Sequence, residues 1–269
     1  MAQASKDNWA AGSLYEPYVG RWSRKVAPEF LRWLHPLASE RWLDVGCGTG
    51  ALTQAILEHV APATVQGIDP SPGFIAHAQA HIQDSRVSFA VADAEAIPLD
   101  AHSVDAAVAA LVLNFVPQPE RALAEMARVT RPGGTVAIYV WDYAGKMELM
   151  RYFWDAAVAL DPQAQDEGPR FAFCQPDPLQ ALFEQAGLQA VQVQAIDVPT
   201  VFRDFDDYWS PFLGGQGPAP GYAMSLSEAD RGRLRERIRA ALPHEGDGRI
   251  ELTARAWAVR GRCAEPPGG

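Results

Sequence analysis

The sequence predicts an α/β protein, a doubly wound and mostly parallel seven-stranded sheet whose last strand runs antiparallel. Three observations carry that prediction. Short, continuously apolar segments alternate with amphipathic ones, the pattern of strands buried on both faces by covering helices. A glycine turn, Gly46-Cys47-Gly48-Thr49-Gly50, stands where the first strand hands over to a helix. Polar residues Asp44, Asp69, Asp93, Asn114 and Asp142 fall at or just past successive strand ends, where an open sheet binds its ligands.

The elements follow in order. Residues 1–22 form a polar leader dotted with Trp9, Tyr15, Tyr18 and Trp22. A helix follows, with Pro28 near its first turn and Phe30, Leu31 and Leu34 facing inward, and it ends at Pro36. The leader and helix, 1–36, make an N-terminal helical cover. Strand one is 41–45 and its helix is 51–60. Strand two is 64–68, and the helix from Pro72 to Ile82 takes Ser71 as N-cap. Strand three is 87–92, followed by a loop to Ser103. Strand four is 105–113, the next helix 119–130, and a turn at Arg131-Pro132-Gly133-Gly134 leads into strand five, 135–141. Helices at 146–160 and 178–186 precede strand six, 190–198. Strand seven is 250–260, and the tail from Arg262 is frayed. The connection 203–248 is too long for a hairpin loop and reads as a lid inserted before the last strand. Residues 202–222 gather Phe202, Phe205, Tyr208, Trp209, Phe212 and Tyr222 around a Gly/Pro-rich stretch, which suggests an apolar or aromatic small molecule enclosed away from water. The chain reads as one domain, 1–269, with its ligand-binding core at 41–143.

Composition narrows the function. The 269 residues are 48% hydrophobic and 21% charged, ordinary for a soluble globule, and the net charge of −10 argues against nucleic acid as the partner. The arginine-rich stretch Arg231–Arg239 reads as a solvated helix face. Three cysteines, Cys47, Cys174 and Cys263, form no C-x-x-C pair and indicate neither a disulfide framework nor a zinc site. The longest apolar stretch, 106–116, falls short of the ~20 residues a membrane span needs, and the N-terminus lacks the apolar run of a signal peptide. A cytoplasmic, monomeric or homodimeric protein is the expectation. His77 and His81 stand four apart but have no third ligand in the pattern, so no metal is expected.

Gly46-Cys47-Gly48-Thr49-Gly50-Ala51 formally fits the dinucleotide fingerprint with alanine last. Charge separates the two readings. A pyrophosphate at the helix N-terminus would lie close to Asp44, an unfavourable pair in a half-buried site. S-adenosylmethionine has no phosphate and carries an ammonium and a sulfonium, so Asp44, Asp69 and Asp93 attract it.

At this point the residues resemble a family, the class I S-adenosylmethionine-dependent methyltransferases, in particular the methyltransferase type 11 or ubiquinone-biosynthesis-like group. The resemblance is carried by Leu43-Asp44-Val45-Gly46-Cys47-Gly48-Thr49-Gly50, Gly67-Ile68-Asp69-Pro70-Ser71, Val91-Ala92-Asp93-Ala94-Glu95-Ala96-Ile97-Pro98, Ala110-Leu111-Val112-Leu113-Asn114-Phe115-Val116-Pro117 and Leu123 through Gly134. It covers about 41–143. It implies a Rossmann-like fold and roles for matching positions. Gly46, Cys47 and Gly48 offer backbone to the methionine part, with Asp44 near its amino group. Asp69 accepts from both ribose hydroxyls and Pro70 packs on the adenine. Asp93 binds the adenine amino group, the Ala94 amide faces a ring nitrogen, and the Leu111 carbonyl takes the ammonium. Tyr18 and Trp22 close over the methionine end.

The expected chemistry is in-line transfer of the methyl group to a small-molecule acceptor through an O, N, S or C atom, with S-adenosylhomocysteine as product. Asn114 and Asp142 are the candidate catalytic residues, and Asn114, Trp141 and Tyr143 the candidate acceptor contacts. In Asn114-Phe115-Val116-Pro117 the proline comes too late for the Asn-Pro-Pro-aromatic loop of many base-modifying relatives, which argues against a flipped-base substrate. The rival readings are a non-catalytic cofactor-binding or partner-stabilising protein and an NAD-dependent oxidoreductase.

Overall fold

A computed structural model describes residues 19–215, 217–243 and 246–265. The chain divides into two compact units. One, the sheet unit, comprises residues 23–141, 173–196 and 256–269; the other, the helical unit, comprises 1–22, 142–172 and 197–255.

The sheet contains β1 (Arg41–Val45), β2 (Thr64–Asp69), β3 (Val87–Val91), β4 (Val104–Ala110), β5 (Thr130–Trp141), β6 (Gln189–Phe202) and β7 (Ile250–Arg262). Their order is β3-β2-β1-β4-β5-β7-β6. β1 to β5 are parallel, and β7 runs antiparallel to β5 from Thr135↔Arg262 to Trp141↔Ala256. The sequence-based fold class is the observed one. Strand order reverses at β1, which pairs with β2 on one side and β4 on the other: Val45 lies opposite both Ile68 and Ala109. The carboxyl ends of β1, β2 and β4 are therefore level, and the turns leaving them share one edge of the sheet.

Helices α1 (Arg21–Leu34), α2 (Ala51–His59), α3 (Pro72–His81) and α4 (Pro119–Val129) flank these strands in sequence. Ser71 caps α3 as expected, its hydroxyl accepting from the Phe74 amide, with proline opening the first turn. Helix α1 departs from expectation. It starts at Arg21, so Pro28 sits in its interior and not near its first turn. Proline there removes one intrahelical bond. Burial of Val26, Ala27, Phe30, Leu31 and Leu34 along one stripe holds the helix despite that loss. Two other boundaries move for one reason. The Arg131–Gly134 turn belongs to β5, and Cys263, just past Arg262, is held, because Gly133 donates to the Cys263 carbonyl and Cys263 donates back to the Gly134 carbonyl, each at 3.0 Å. Local sequence marks Gly-Gly as a turn, whereas a partner strand makes it a ladder.

The helical unit is built from α5 (Glu148–Leu160), α6 (Glu167–Arg170), α8 (Phe205–Trp209), a 3-10 turn (Ser210–Gly214), α9 (Pro218–Ser225) and α10 (Glu228–Ala241); α7 (Pro176–Gln185) belongs to the sheet unit. The aromatic residues of the predicted lid segment pack against one another and against α5. Phe153 stacks on Phe212 at 4.6 Å, Phe202 meets Tyr208 edge-on at 5.3 Å, and the buried Tyr208 hydroxyl donates to the Leu149 carbonyl at 2.7 Å. Aromatic pairing and a satisfied phenol make this a core in its own right. On α10, Arg233 pairs with Asp230 and Arg235 with Asp206, so much of its positive charge is neutralised locally. Among the described residues no helix is long and apolar enough to cross a membrane, and no group of three His, Cys, Asp or Glu side chains is arranged to hold a metal.

Candidate functional site

The turn after β1 is shaped by glycines in left-handed conformations. At Gly46, φ is +67°, and a side-chain carbon would lie 2.4 Å from the Val112 side chain. Gly48, at φ +53°, has no atom within 4 Å of the place a side chain would start. One glycine is thus required by the neighbouring β4 turn. The other leaves open space where a ligand can approach the backbone.

The amides of this turn are already committed inward. Cys47 donates to the Ile68 carbonyl at 2.9 Å, Gly50 to the Cys47 carbonyl at 2.8 Å, and Gly48 to the Asp69 Oδ2 at 3.0 Å. The remaining Asp69 oxygen accepts from the Ser71 amide at 2.8 Å. Asp69, 6% exposed, thereby locks the turn after β1 to the turn after β2. Burial pushes its carboxyl above the usual range, against the two amides that favour the anion. A carboxylate holding two amides keeps lone pairs for further donors.

Asp44 lies deeper, at 0% exposure. Its Oδ2 accepts from the Thr53 hydroxyl on α2 at 2.7 Å, while its Oδ1 is buried with no hydrogen-bond partner among the described residues. Burial raises its pKa to about 7, with Thr53 opposing and the charge of Asp69 adding. The expected neighbour of a ligand amino group is thus first a tie between strand and helix. Burial and then the charges of Asp44 and Asp69 push the Cys47 thiol far up, so it is a neutral packing group and no nucleophile.

The other strand ends add fewer contacts. Pro70 is exposed beside Asp69. Asp93 is exposed, and its Oδ1 accepts from the Glu95 amide at 2.9 Å, which fixes the loop around the buried Ala94. Leu111 has φ +57°, a conformation that side chains disfavour by roughly 1–2 kcal/mol. Its amide donates to the Tyr139 carbonyl at 2.8 Å, so the chain leaves the sheet immediately after that bond. Strain of this kind gathers at ligand sites. Nothing in the residue type signals it.

The candidate acceptor contacts Trp141, Asp142 and Tyr143 are buried, as Asp44 and Asp69 are. Trp141 is 1% exposed at the end of β5, a strand paired on both sides. Asp142 is buried, and its Oδ2 accepts from the Lys146 amide at 2.9 Å while its carbonyl accepts from Met147 at 3.1 Å, so it closes a tight turn. Tyr143 is buried against Phe171 with ring centroids 4.9 Å apart. Asn114 is buried in a short 3-10 turn, Leu113–Phe115. Asp44, Gly46, Cys47, Gly48, Asp69, Pro70, Asp93, Ala94, Leu111, Asn114 and Trp141 all belong to the sheet unit, whereas Asp142, Tyr143 and Trp22 belong to the helical unit. Trp22 is buried against Phe202 at 5.2 Å. Tyr18 lies outside the described residues.

These residues fit a cationic ligand better than a phosphate. Three amides of the turn, those of Cys47, Gly48 and Gly50, are spent on internal acceptors and so are not offered to an anion. The acids at this edge include a buried oxygen that lacks any donor among the described residues.

Comparison with known proteins agrees. Residues 43–138 match the family described as Methyltransferase domain. An uncharacterized methyltransferase of Mycobacterium tuberculosis is 40% identical over 127 residues, 46% of this chain and 50% of that protein. The ubiquinone biosynthesis O-methyltransferase of Thiobacillus denitrificans is 29% identical over 193 residues, 69% of this chain and 79% of that protein. The crystal structure of the YcgJ protein of Bacillus subtilis superposes with a TM-score of 0.59 at 19% identity, covering 91% of this chain and 100% of that one. The chain spans about half the length of the first curated relatives it matches.

Proposed function

We propose that this chain, which through residues 43–138 belongs to the class I S-adenosylmethionine-dependent methyltransferases, transfers a methyl group to a small-molecule acceptor. The observation that carries the reading is the turn at Gly46–Gly50, whose amides face inward while acids stand at the same sheet edge. S-adenosylmethionine supplies a methyl group on a positively charged sulphur, so its transfer consumes charge and needs no acid to protonate the leaving thioether.

The chain's own residues bind and orient. Asp69, fixed by the Gly48 and Ser71 amides, offers its spare lone pairs to the ribose hydroxyls. Pro70, exposed beside it, gives the adenine a flat apolar contact, and Asp93 and the Ala94 amide read the ring edge. The backbone at Gly46, Gly48 and Leu111 meets the methionine end. Asp44 acts from behind the turn, since its contact to Thr53 fixes α2 against β1 and its charge raises the negative potential there. Holding donor and acceptor in line is the main source of rate in such a transfer.

Calorimetric titration with S-adenosylhomocysteine and with NAD tests the binding half of this reading. One-to-one binding of the first and none of the second is expected; the reverse refutes it. Incubation with methyl-labelled S-adenosylmethionine and a fractionated metabolite extract tests the transfer half, and label confined to the cofactor after exhaustive screening favours a non-catalytic role.

A further inference from the structure

Two turns meet at the carboxyl edge of the sheet, and one side chain separates them. Leu111, at φ +57°, turns left-handed just past β4, immediately after its amide bonds to the Tyr139 carbonyl at 2.8 Å. The next residue, Val112, is held from the other side as well. Its carbonyl accepts from the Phe115 amide at 2.8 Å and opens the 3-10 turn Leu113–Phe115. The backbone is therefore fixed on both sides of Val112, and a side chain branched at Cβ has little freedom left once its backbone is set.

That side chain fills the place Gly46 leaves empty. A carbon attached to Gly46 would lie within 2.8 Å of Val112 Cβ, Cγ1 and Cγ2 alike. Carbons in ordinary contact stay about 3.5–4.0 Å apart, so the isopropyl group rests directly on the Gly46 backbone. β1 and β4 are neighbours, with Val45 opposite Ala109, and Val112 stands between the turns that leave them. Gly50, at the far end of the turn, is covered differently. The atom nearest its missing side chain is Ile82 Cδ1, the tip of a flexible chain that can change rotamer. Gly48, between the two, would meet nothing within 4 Å. The rigid brace on this turn is therefore at its β1 end.

We infer that Val112 is a positioning residue for the methyl donor, a wedge whose branched side chain sets the spacing between the Gly46–Gly50 turn and the Leu111 backbone. The inference rests on the methyltransferase reading above, in which those two stretches of backbone together meet the methionine end. Val112 acts through the backbone it holds apart and not on a reacting atom. The disfavoured conformation of Leu111 then has a use, because it is the bend that lays Val112 on Gly46. Without the wedge the two turns can close on each other, and a donor held across them meets displaced backbone groups. A misplacement of about 1 Å can cost on the order of 100-fold in a reaction that depends on alignment.

The test is calorimetric titration of the full chain with S-adenosylhomocysteine, comparing the parent with Val112→Ala and Val112→Thr. Val112→Ala removes Cγ1 and Cγ2, two of the three carbons that face Gly46. Val112→Thr keeps the branch, and at a half-buried position its hydroxyl stays hydrated. Both variants should melt about 2–4 °C below the parent, since each gives up apolar burial. Affinity should separate them. Val112→Ala is expected to bind about tenfold more weakly, and Val112→Thr within about twofold of the parent. A role in stability alone would move both affinities together or neither. Equal affinity in the parent and Val112→Ala overturns this inference alone, and so does a loss in Val112→Thr as large as that in Val112→Ala. Failure of the parent chain to bind overturns the methyltransferase reading and this inference with it.

Discussion

Replacing Asp44 by asparagine removes a buried charge whose cost depends on pH, and the size of that dependence follows from the structure. The carboxyl is enclosed, is hydrogen-bonded by the hydroxyl and the backbone of Thr53, and has its pKa raised from an ordinary 3.8 to about 7. An acid raised in the folded state holds its proton longer there than in the unfolded chain. Its presence therefore lowers stability progressively as pH rises from about 4 to about 7, and the penalty is constant above that window. Between pH 5 and pH 8 the two values imply a loss of about 2–3 kcal/mol for this one group. The substituted amide would keep an oxygen to accept from Thr53 while carrying no charge. Urea unfolding of both proteins without ligand at pH 5, 6, 7 and 8 gives the comparison. The stability of Asp44→Asn relative to the parent should climb by about 2–3 kcal/mol over that range, most of it below pH 7.5. Parallel pH profiles would refute the argument, because they would mean that Asp44 is hydrated in the folded chain. With S-adenosylmethionine present the order should reverse at pH 8, since the substitution removes negative potential from the site.

Other outcomes follow from the same geometry. Asp69→Ala unties the Gly48 and Ser71 amides together, and calorimetry should find S-adenosylhomocysteine bound at least about thirtyfold more weakly by a chain that still folds. Gly46→Ala and Gly48→Ala share a left-handed backbone, costing about 1 kcal/mol each, but only the first drives a carbon into Val112. Thermal melting should therefore fall much further in Gly46→Ala, and Gly48→Ala should lose mainly ligand affinity. Asp105 receives Arg41 Nε at 3.0 Å and Arg131 Nε at 2.6 Å, and the Arg41 contact above all holds its carboxyl well below the usual range. That contribution exists above the unfolded pKa near 4 and vanishes as pH falls. Asp105→Asn should cost about 1 kcal/mol at pH 7, modest because both arginines stand partly in water, and progressively less as pH falls below about 4 in the same urea assay.

Much of the sheet was legible in the residues because local and tertiary demands coincide there. Strands β1 to β5 are apolar along much of their length and are covered on both faces, so one pattern both predicts and explains them. The candidate cofactor positions were legible for a similar reason: glycines that must turn left-handed and acids at strand ends are choices of residue type. What each acid at a strand end holds was not legible: Asp69 takes the Gly48 and Ser71 amides and Asp142 the Lys146 amide, partners that depend on how the following turn folds.

The amino-acid sequence by itself determined the alternation of strand and helix, the parallel sheet, the glycine turn and the sign of the charge gathered beside it, because each depends on periodicity or on residue chemistry. Tertiary structure alone decided which amides of that turn are committed inward, that Leu111 turns left-handed, and that the aromatics of 203–248 pack into a core. Those are properties of what surrounds a group, and a group's surroundings are assembled from residues far apart in the chain.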